Sequence, residues 1–121
     1  MKKVLIIEDD NFLQNLEAEK IKKQNYEVIV AQTGEEGMVK ILEPGISIIL
    51  LDLLLPNFDG FEILKKIRET EATKNIPVII FSNLSETKDI EKATSLGATA
   101  VMVKSNFSLE ELVESINKIL A

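Results

Sequence analysis

A chain of 121 residues with a formal charge of −6, 45% hydrophobic and 28% charged, has the size and composition of one globular domain, not of a disordered or collagen-like chain. The acidic balance argues against direct binding to nucleic acid, where affinity comes mostly from Lys and Arg neutralising phosphates. Cys and His are both absent, which excludes disulfides, thiolate nucleophiles, zinc ribbons and imidazole bases, and leaves carboxylate, hydroxyl and amine chemistry.

At the amino terminus, Met1-Lys2-Lys3 and four apolar residues before Glu8 are too short for a signal peptide. No apolar run approaches the roughly 18 residues of a membrane span, so a cytoplasmic protein without a membrane partner is the expectation. Val4 to Ile7 reads as a first strand. Asp10, directly before a helix beginning near Asn11, serves equally as that helix's cap or as one more carboxylate of a cluster. Val28 to Val30 is a second strand, and Thr33 with Glu36 has the spacing of a capping box for a second helix, closed by Pro44-Gly45. Ile48 to Leu51 is a third strand and runs straight into Asp52. Ile76-Pro77 marks the start of a fourth strand, Val78 to Phe81, because the residue before proline avoids the helical region. Gly97 ends a helix just before a fifth strand, Ala100 to Val103. Ser108 and Glu111 cap a last helix whose Leu109, Leu112, Val113, Ile116 and Leu120 share one stripe.

The order βαβαβαβαβα predicts an α/β fold in one domain, residues 1–121, with five helices on the two faces of a doubly wound parallel sheet of five strands. Continuously apolar runs suit strands covered on both faces. In such sheets a ligand lies beyond the carboxyl ends of the strands, where the strand order reverses. Glu8-Asp9-Asp10 follow the first strand, Asp52 the third, Ser82-Asn83 the fourth and Lys104 the fifth. Residues far apart in sequence are thereby brought to one edge.

Asp52 is the most informative of them. It sits in Leu50-Leu51-Asp52-Leu53-Leu54-Leu55-Pro56 with no cation beside it in sequence, and taking a carboxylate out of water costs several kcal/mol unless something pairs with it. Carboxylates held together repel unless a cation joins them. With no imidazole or thiolate, a hard divalent ion is the natural partner, and Mg²⁺, which takes one or two carboxylates and keeps several waters, suits a small open site.

These residues resemble the response-regulator receiver domain of two-component signalling, over essentially the whole chain. The likeness rests on Glu8-Asp9, on Asp52 followed by Pro56 and Asp59-Gly60, on Ser82 and on Lys104. It implies a flavodoxin-like (βα)5 fold with strand order 2-1-3-4-5. It implies Asp52 as phosphoacceptor, Asp9 as direct ligand of Mg²⁺, Glu8 as ligand through water, and Asp52 with the backbone carbonyl of Leu54 completing the set. Lys104 and Ser82 would contact phosphoryl oxygens. The donor would be a phosphohistidine on a sensor histidine kinase or phosphotransfer protein, because this chain has no histidine. The output would be a downstream protein or output domain, and the family's habits allow a homodimer. Such a protein is a signalling switch and not an enzyme. Ending at Ala121 after the fifth helix, it would be a stand-alone receiver or one domain of a longer protein.

Three positions depart from the family pattern. Val101 stands where an aromatic is common, three residues before the lysine, and Ser105 follows the lysine where proline with a cis bond is usual. A cis bond before Ser105 would cost about 2.5 to 4 kcal/mol, so a trans, differently shaped loop is expected. Leu54 and Leu84, where polar residues often flank the path of the hydrolytic water, predict a long-lived phosphoaspartate. The alternative reading is a receiver-like interaction module that works without phosphorylation. A haloacid-dehalogenase type phosphatase would need a second Asp at position 54, and a nucleotide-binding domain would need a Gly-rich turn after the first strand.

Overall fold

The computed structural model describes every residue from Met1 to Ala121. Along the apolar runs, alternate side chains enter two different cores. One core takes Leu5, Ile7, Ile49, Leu51, Val78 and Ile80, and the other takes Val4, Ile6, Ile48, Leu50, Ile79 and Phe81. A strand whose successive residues point to opposite faces needs apolar side chains at every position only if both faces are covered.

The strands are β1 (Lys3–Ile7), β2 (Glu27–Ala31), β3 (Ile46–Leu51), β4 (Val78–Ser82) and β5 (Ala100–Val103). They pair in parallel in the order β2-β1-β3-β4-β5, as the resemblance implied. Between them run α1 (Asn11–Lys22), α2 (Gly34–Lys40), α3 (Gly60–Glu69), α4 (Thr87–Ser95) and α5 (Leu109–Leu120). Ile41 after α2, with Ile63, Leu64 and Ile67 of α3 and Ala93 of α4, closes one core. Ile21 of α1 and Leu112, Val113 and Ile116 of α5 close the other. No helix is long and apolar enough to cross a membrane.

The helix starts follow from their caps. Thr33 accepts from the Glu36 N–H, and Ser108 and Glu111 form the reciprocal box at α5. Asp59 caps α3 through the Phe61 N–H. At α2 two expectations are corrected. The Glu36 carboxylate does not close a box; it pairs with Lys40 at 3.2 Å, one turn along. The helix also stops at Lys40 instead of running to Pro44-Gly45, because its end tightens into i→i−3 bonds from Leu42 N–H to the Val39 carbonyl and from Glu43 N–H to the Lys40 carbonyl. α4 ends as expected, Gly97 taking φ +100°.

An element not anticipated is a two-stranded hairpin directly after Asp52, Leu54–Leu55 pairing antiparallel with Phe58–Asp59. Pro56 presets the turn and Asn57 takes the left-handed conformation, φ 55°. Two glycines let this hairpin lie where it does. A Cβ at Gly60 would come within 2.5–2.9 Å of the Leu53 backbone, and one at Gly34 within 2.1–2.7 Å of the Phe58 side chain. The Phe58 ring therefore rests on the first residue of α2 and braces the hairpin. Gly34→Ala should destabilise the fold by about 1–3 kcal/mol through this overlap. In urea titrations, Gly34→Ala combined with Phe58→Ala should lose less than the two single losses summed. Additive losses would show that the ring and position 34 do not press on each other.

Candidate functional site

Register decides what meets. Ile7 of β1 pairs with Leu51 of β3, so the next residues, Glu8 and Asp52, stand side by side where the order reverses. Ser82 of β4 pairs with Val103 of β5, so Lys104 emerges beside Ser82. Backbone bonds carry the ladder past the strand ends, from Asp52 N–H to the Ile7 carbonyl and from Glu8 N–H to the Ala31 carbonyl, both at 3.0 Å.

Asp52 is 5% exposed, and each of its oxygens is held. Oδ1 accepts from Ser82 Oγ at 2.5 Å and from the Leu54 N–H at 2.9 Å. Oδ2 accepts from Lys104 Nζ at 2.7 Å. The same ammonium donates to Glu8 Oε1 at 2.6 Å, while Glu8 Oε2 accepts from the Asp10 N–H. Ser82 Oγ in turn accepts from the Leu53 N–H at 3.3 Å. Thus Glu8, Asp52, Ser82 and Lys104 form one connected group. Asp9, half-buried, completes a cluster in which a carboxylate oxygen of Glu8, of Asp9 and of Asp52 all lie within 4.8 Å of one another. Asp10 resolves to the capping role, accepting from the Leu13 N–H at 3.1 Å.

Three carboxylates face one ammonium in a largely buried site. Burial, reinforced by the Asp52 charge and opposed by Lys104, pushes the Glu8 carboxyl up to about 7. Burial works to lower the Lys104 ammonium, but its hydrogen bonds and attraction to Asp52 and Glu8 outweigh that and the net direction is upward. An all-oxygen donor set with unbalanced negative charge fits a hard divalent cation such as Mg²⁺; Glu8, Asp9 and Asp52 could hold one.

Below this group lie two residues that the sequence reading passed over. Gln14, buried on α1, donates its Nε2–H to the Glu8 carbonyl at 3.0 Å. Glu17, one turn further and 1% exposed, has no hydrogen-bond partner for its buried Oε1. The signal was present as two polar residues spaced with Ile21 on the inward stripe of α1, while the apolar Phe12 and Leu16 of the same helix are exposed.

Two more readings are settled by burial. Leu54 is 56% exposed at the rim, but Leu84 is 5% exposed and belongs to the core shared by α3 and α4. Leu84 thus covers apolar surface, while Leu54 stands at the surface beside Asp52. The peptide bonds include no cis form, so the Lys104–Ser105 bond is trans; a 3₁₀ turn, Lys104–Asn106, follows β5. Val101 packs against the first core, and Phe81 is buried in the second.

This geometry defines a class, the doubly wound α/β domains, here with a polar group gathered around a buried carboxylate at the carboxyl edge of the sheet. Comparison places it further. A family model described as the response regulator receiver domain matches residues 4–117. The chain is 37% identical over 120 residues to the response regulator ArlR of Staphylococcus saprophyticus, covering 99% of this chain and 53% of that protein. It is 32% identical over 117 residues to a gliding motility regulatory protein of Myxococcus xanthus, covering 97% of this chain and 15% of that protein. The chain thus spans about half or less of the length of these relatives. Among solved structures, a CheY-like receiver domain from Methanospirillum hungatei superposes with a TM-score of 0.91 at 26% identity, covering 99% of this chain and 94% of the other. A LuxR-family DNA-binding response regulator from Staphylococcus aureus gives 0.89 at 32% identity, with both chains fully covered. The chain belongs to the response regulator receiver domain family, the part of two-component systems that acts as a signalling switch and not as a classical enzyme.

Glu17 generates a prediction. Burial first, then the Glu8 charge, pushes its carboxyl from 4.5 to about 8. The folded state then binds this proton more tightly than the unfolded state, so the contribution is complete below the unfolded pKa and is lost as pH rises from 4.5 through about 8. Glu8, raised to about 7, acts with the same sign. In the presence of a chelator, Tm should fall from about pH 5 to pH 8, and Glu17→Gln should flatten much of that slope and raise Tm at the alkaline end. Parallel curves for the two proteins would show that Glu17 carries no proton at neutral pH.

Proposed function

We propose that residues 1–121 form one receiver domain in which Asp52 accepts a phosphoryl group from a phosphohistidine of a partner kinase or phosphotransfer protein. The observation that carries this reading is the grip on Asp52, a buried carboxylate oriented by Ser82, Leu54 N–H and Lys104. An oxygen of Asp52 attacks phosphorus, the P–N bond to the donor imidazole breaks, and its electron pair returns to the ring nitrogen. Asp52 acts as a nucleophile held in line, and catalysis is mostly positioning and charge compensation. Lys104, a compact point charge already beside Asp52, follows the negative charge onto a phosphoryl oxygen. Ser82, now bonded to the acceptor oxygen, turns its O–H to another.

Glu8, Asp9 and Asp52, with the Leu54 carbonyl, would hold Mg²⁺, Asp9 and Asp52 directly and Glu8 through a water. When bound, the ion supplies positive charge against the acceptor and transferring oxygens. The receiver then acts on a downstream protein or output domain by shifting an equilibrium between two arrangements of its surface.

Incubation with acetyl phosphate and Mg²⁺ should add one phosphoryl group to the wild type by intact mass and none to Asp52→Asn or to chelated samples. Lys104→Ala, which leaves the transferred charge uncompensated, should slow addition by about tenfold or more, a barrier change of roughly 1.4 kcal/mol or above. A folded wild type that takes up no phosphoryl group under any condition would favour a phosphorylation-independent interaction module.

Leu54 offers an attacking water no hydrogen bond at the exposed rim, so the phosphoaspartate is long-lived. Leu54→Asn should speed its decay severalfold, read by the loss of the phosphoryl mass after the donor is removed. Unchanged decay would count against a role for this side chain.

A further inference from the structure

We infer that Asn83 is a positioning residue for Lys104, acting through the backbone N–H of Ser105. The inference rests on Asp52 as the phosphoacceptor and adds a part to that site. A 3₁₀ turn, like any helix, begins with N–H groups that have no partner inside it. In the turn Lys104–Asn106 the residue ahead of it, Val103, has no oxygen on its side chain and makes no cap. The missing acceptor arrives from another strand, because Asn83 Oδ1 accepts from the Ser105 N–H at 2.9 Å.

What makes this contact functional is its place. Ser82 and Asn83 are consecutive at the end of β4. Ser82 holds Asp52 Oδ1, and Asn83 holds the residue after Lys104, whose ammonium holds Asp52 Oδ2. The result is a closed ring of covalent and hydrogen bonds, Asp52 to Ser82 to Asn83 to Ser105 to Lys104 and back to Asp52. Lysine reaches the acceptor along a flexible stem of four carbons, so fixing the backbone beside it narrows where the ammonium can go. A proline at position 105 would have no N–H to give. Serine there supplies the donor, and asparagine at position 83 supplies the acceptor.

The test separates the bond, its consequence and the reading beneath it. Amide exchange should show the Ser105 N–H protected in the wild type and unprotected in Asn83→Ala. Trace acylation with acetic anhydride, on protein without phosphodonor, should label Lys104 about threefold to tenfold faster in Asn83→Ala, the span that the loss of one net hydrogen bond gives. Asn83→Asp keeps an acceptor oxygen and should restore both the protection and the slow labelling. Ser105→Pro combined with Asn83→Ala should label no faster than the faster single variant, since both remove the same bond. A wild-type Ser105 that exchanges freely, or equal Lys104 labelling in wild type and Asn83→Ala, overturns the inference. Both of these readouts precede phosphorylation. Faster labelling in Asn83→Ala alongside a wild type that never takes up a phosphoryl group would support the positioning role and reject the phosphoacceptor reading alone.

Discussion

The structure depends on satisfying one buried carboxylate. Leaving Asp52 out of water without partners would cost several kcal/mol, a large share of the net stability of a domain this size. Its three donors come from three places, the β4 end through Ser82, the β5 end through Lys104, and the hairpin through the Leu54 N–H. Each donor is in reach only if the strand registers are right. A slip of one residue in β3 would move Asp52 to the opposite face and drive its aliphatic neighbours into the wrong cores. The hydrophobic pattern and the polar site therefore specify the same register, and the packing of Leu51 and Ile80 in the core below holds the chemistry above them.

The donors do not balance the charge. Two unit negative charges 4.8 Å apart repel by on the order of 3 kcal/mol at an effective dielectric of about 20, and oxygens of three carboxylates lie within that distance of one another here. Lys104 reaches Glu8 and Asp52, and Asp9 receives no ammonium. Burial first, and neighbouring carboxylates after it, raise Glu8 to about 7 and Glu17 to about 8. Such a cluster fits a divalent ion, whose charge would offset the repulsion that Lys104 leaves uncompensated. Gln14, on α1, holds the Glu8 backbone carbonyl and so fixes where this carboxylate leaves the chain.

Much of this was legible in the sequence, for identifiable reasons. The strands stood out because both faces are covered, so Val4 to Ile7 and Val78 to Phe81 are apolar at every position. Ser108 and Thr33 marked helix starts because a hydroxyl before a helix has few other uses. The residues at strand ends could be gathered because parallel crossovers leave all carboxyl ends on one edge. What escaped depends on contacts that no local pattern reports. The hairpin at Leu54–Asp59 is two residues per strand and rests on close approach at Gly34 and Gly60. The orientation of α1 runs against its apolar residues, exposing Phe12 at 75% while burying Glu17 at 1%. A hydrophobic stripe would have turned that helix the other way. Leu54 and Leu84 have the same side chain and opposite environments, rim and core, which spacing from the site residues could not tell apart.

The departures at positions 101 and 105 acquire a common physical meaning from the fold. Val101 is β-branched, stiff about χ1, and packed against the core beneath α4, so it has little freedom to swing between two positions. Of the nearby aromatic side chains, Phe81 is held in the opposite core and Phe107, just after the turn that carries Lys104, is 38% exposed. Polar contacts, by contrast, run from Asp52 toward the β5–α5 connection. The backbone that carries Ser82 also carries Asn83, and Asn83 already grips the turn that carries Lys104. Ser82 and that turn are thus one peptide unit and one hydrogen bond apart. Where the family often has an aromatic ring, this chain has Val101, and polar contacts link Asp52 to the turn after β5. The link runs from the buried Ser82–Asp52 bond to the exposed Asn83–Ser105 bond, so it is set by hydrogen-bond geometry and not by the volume of a side chain.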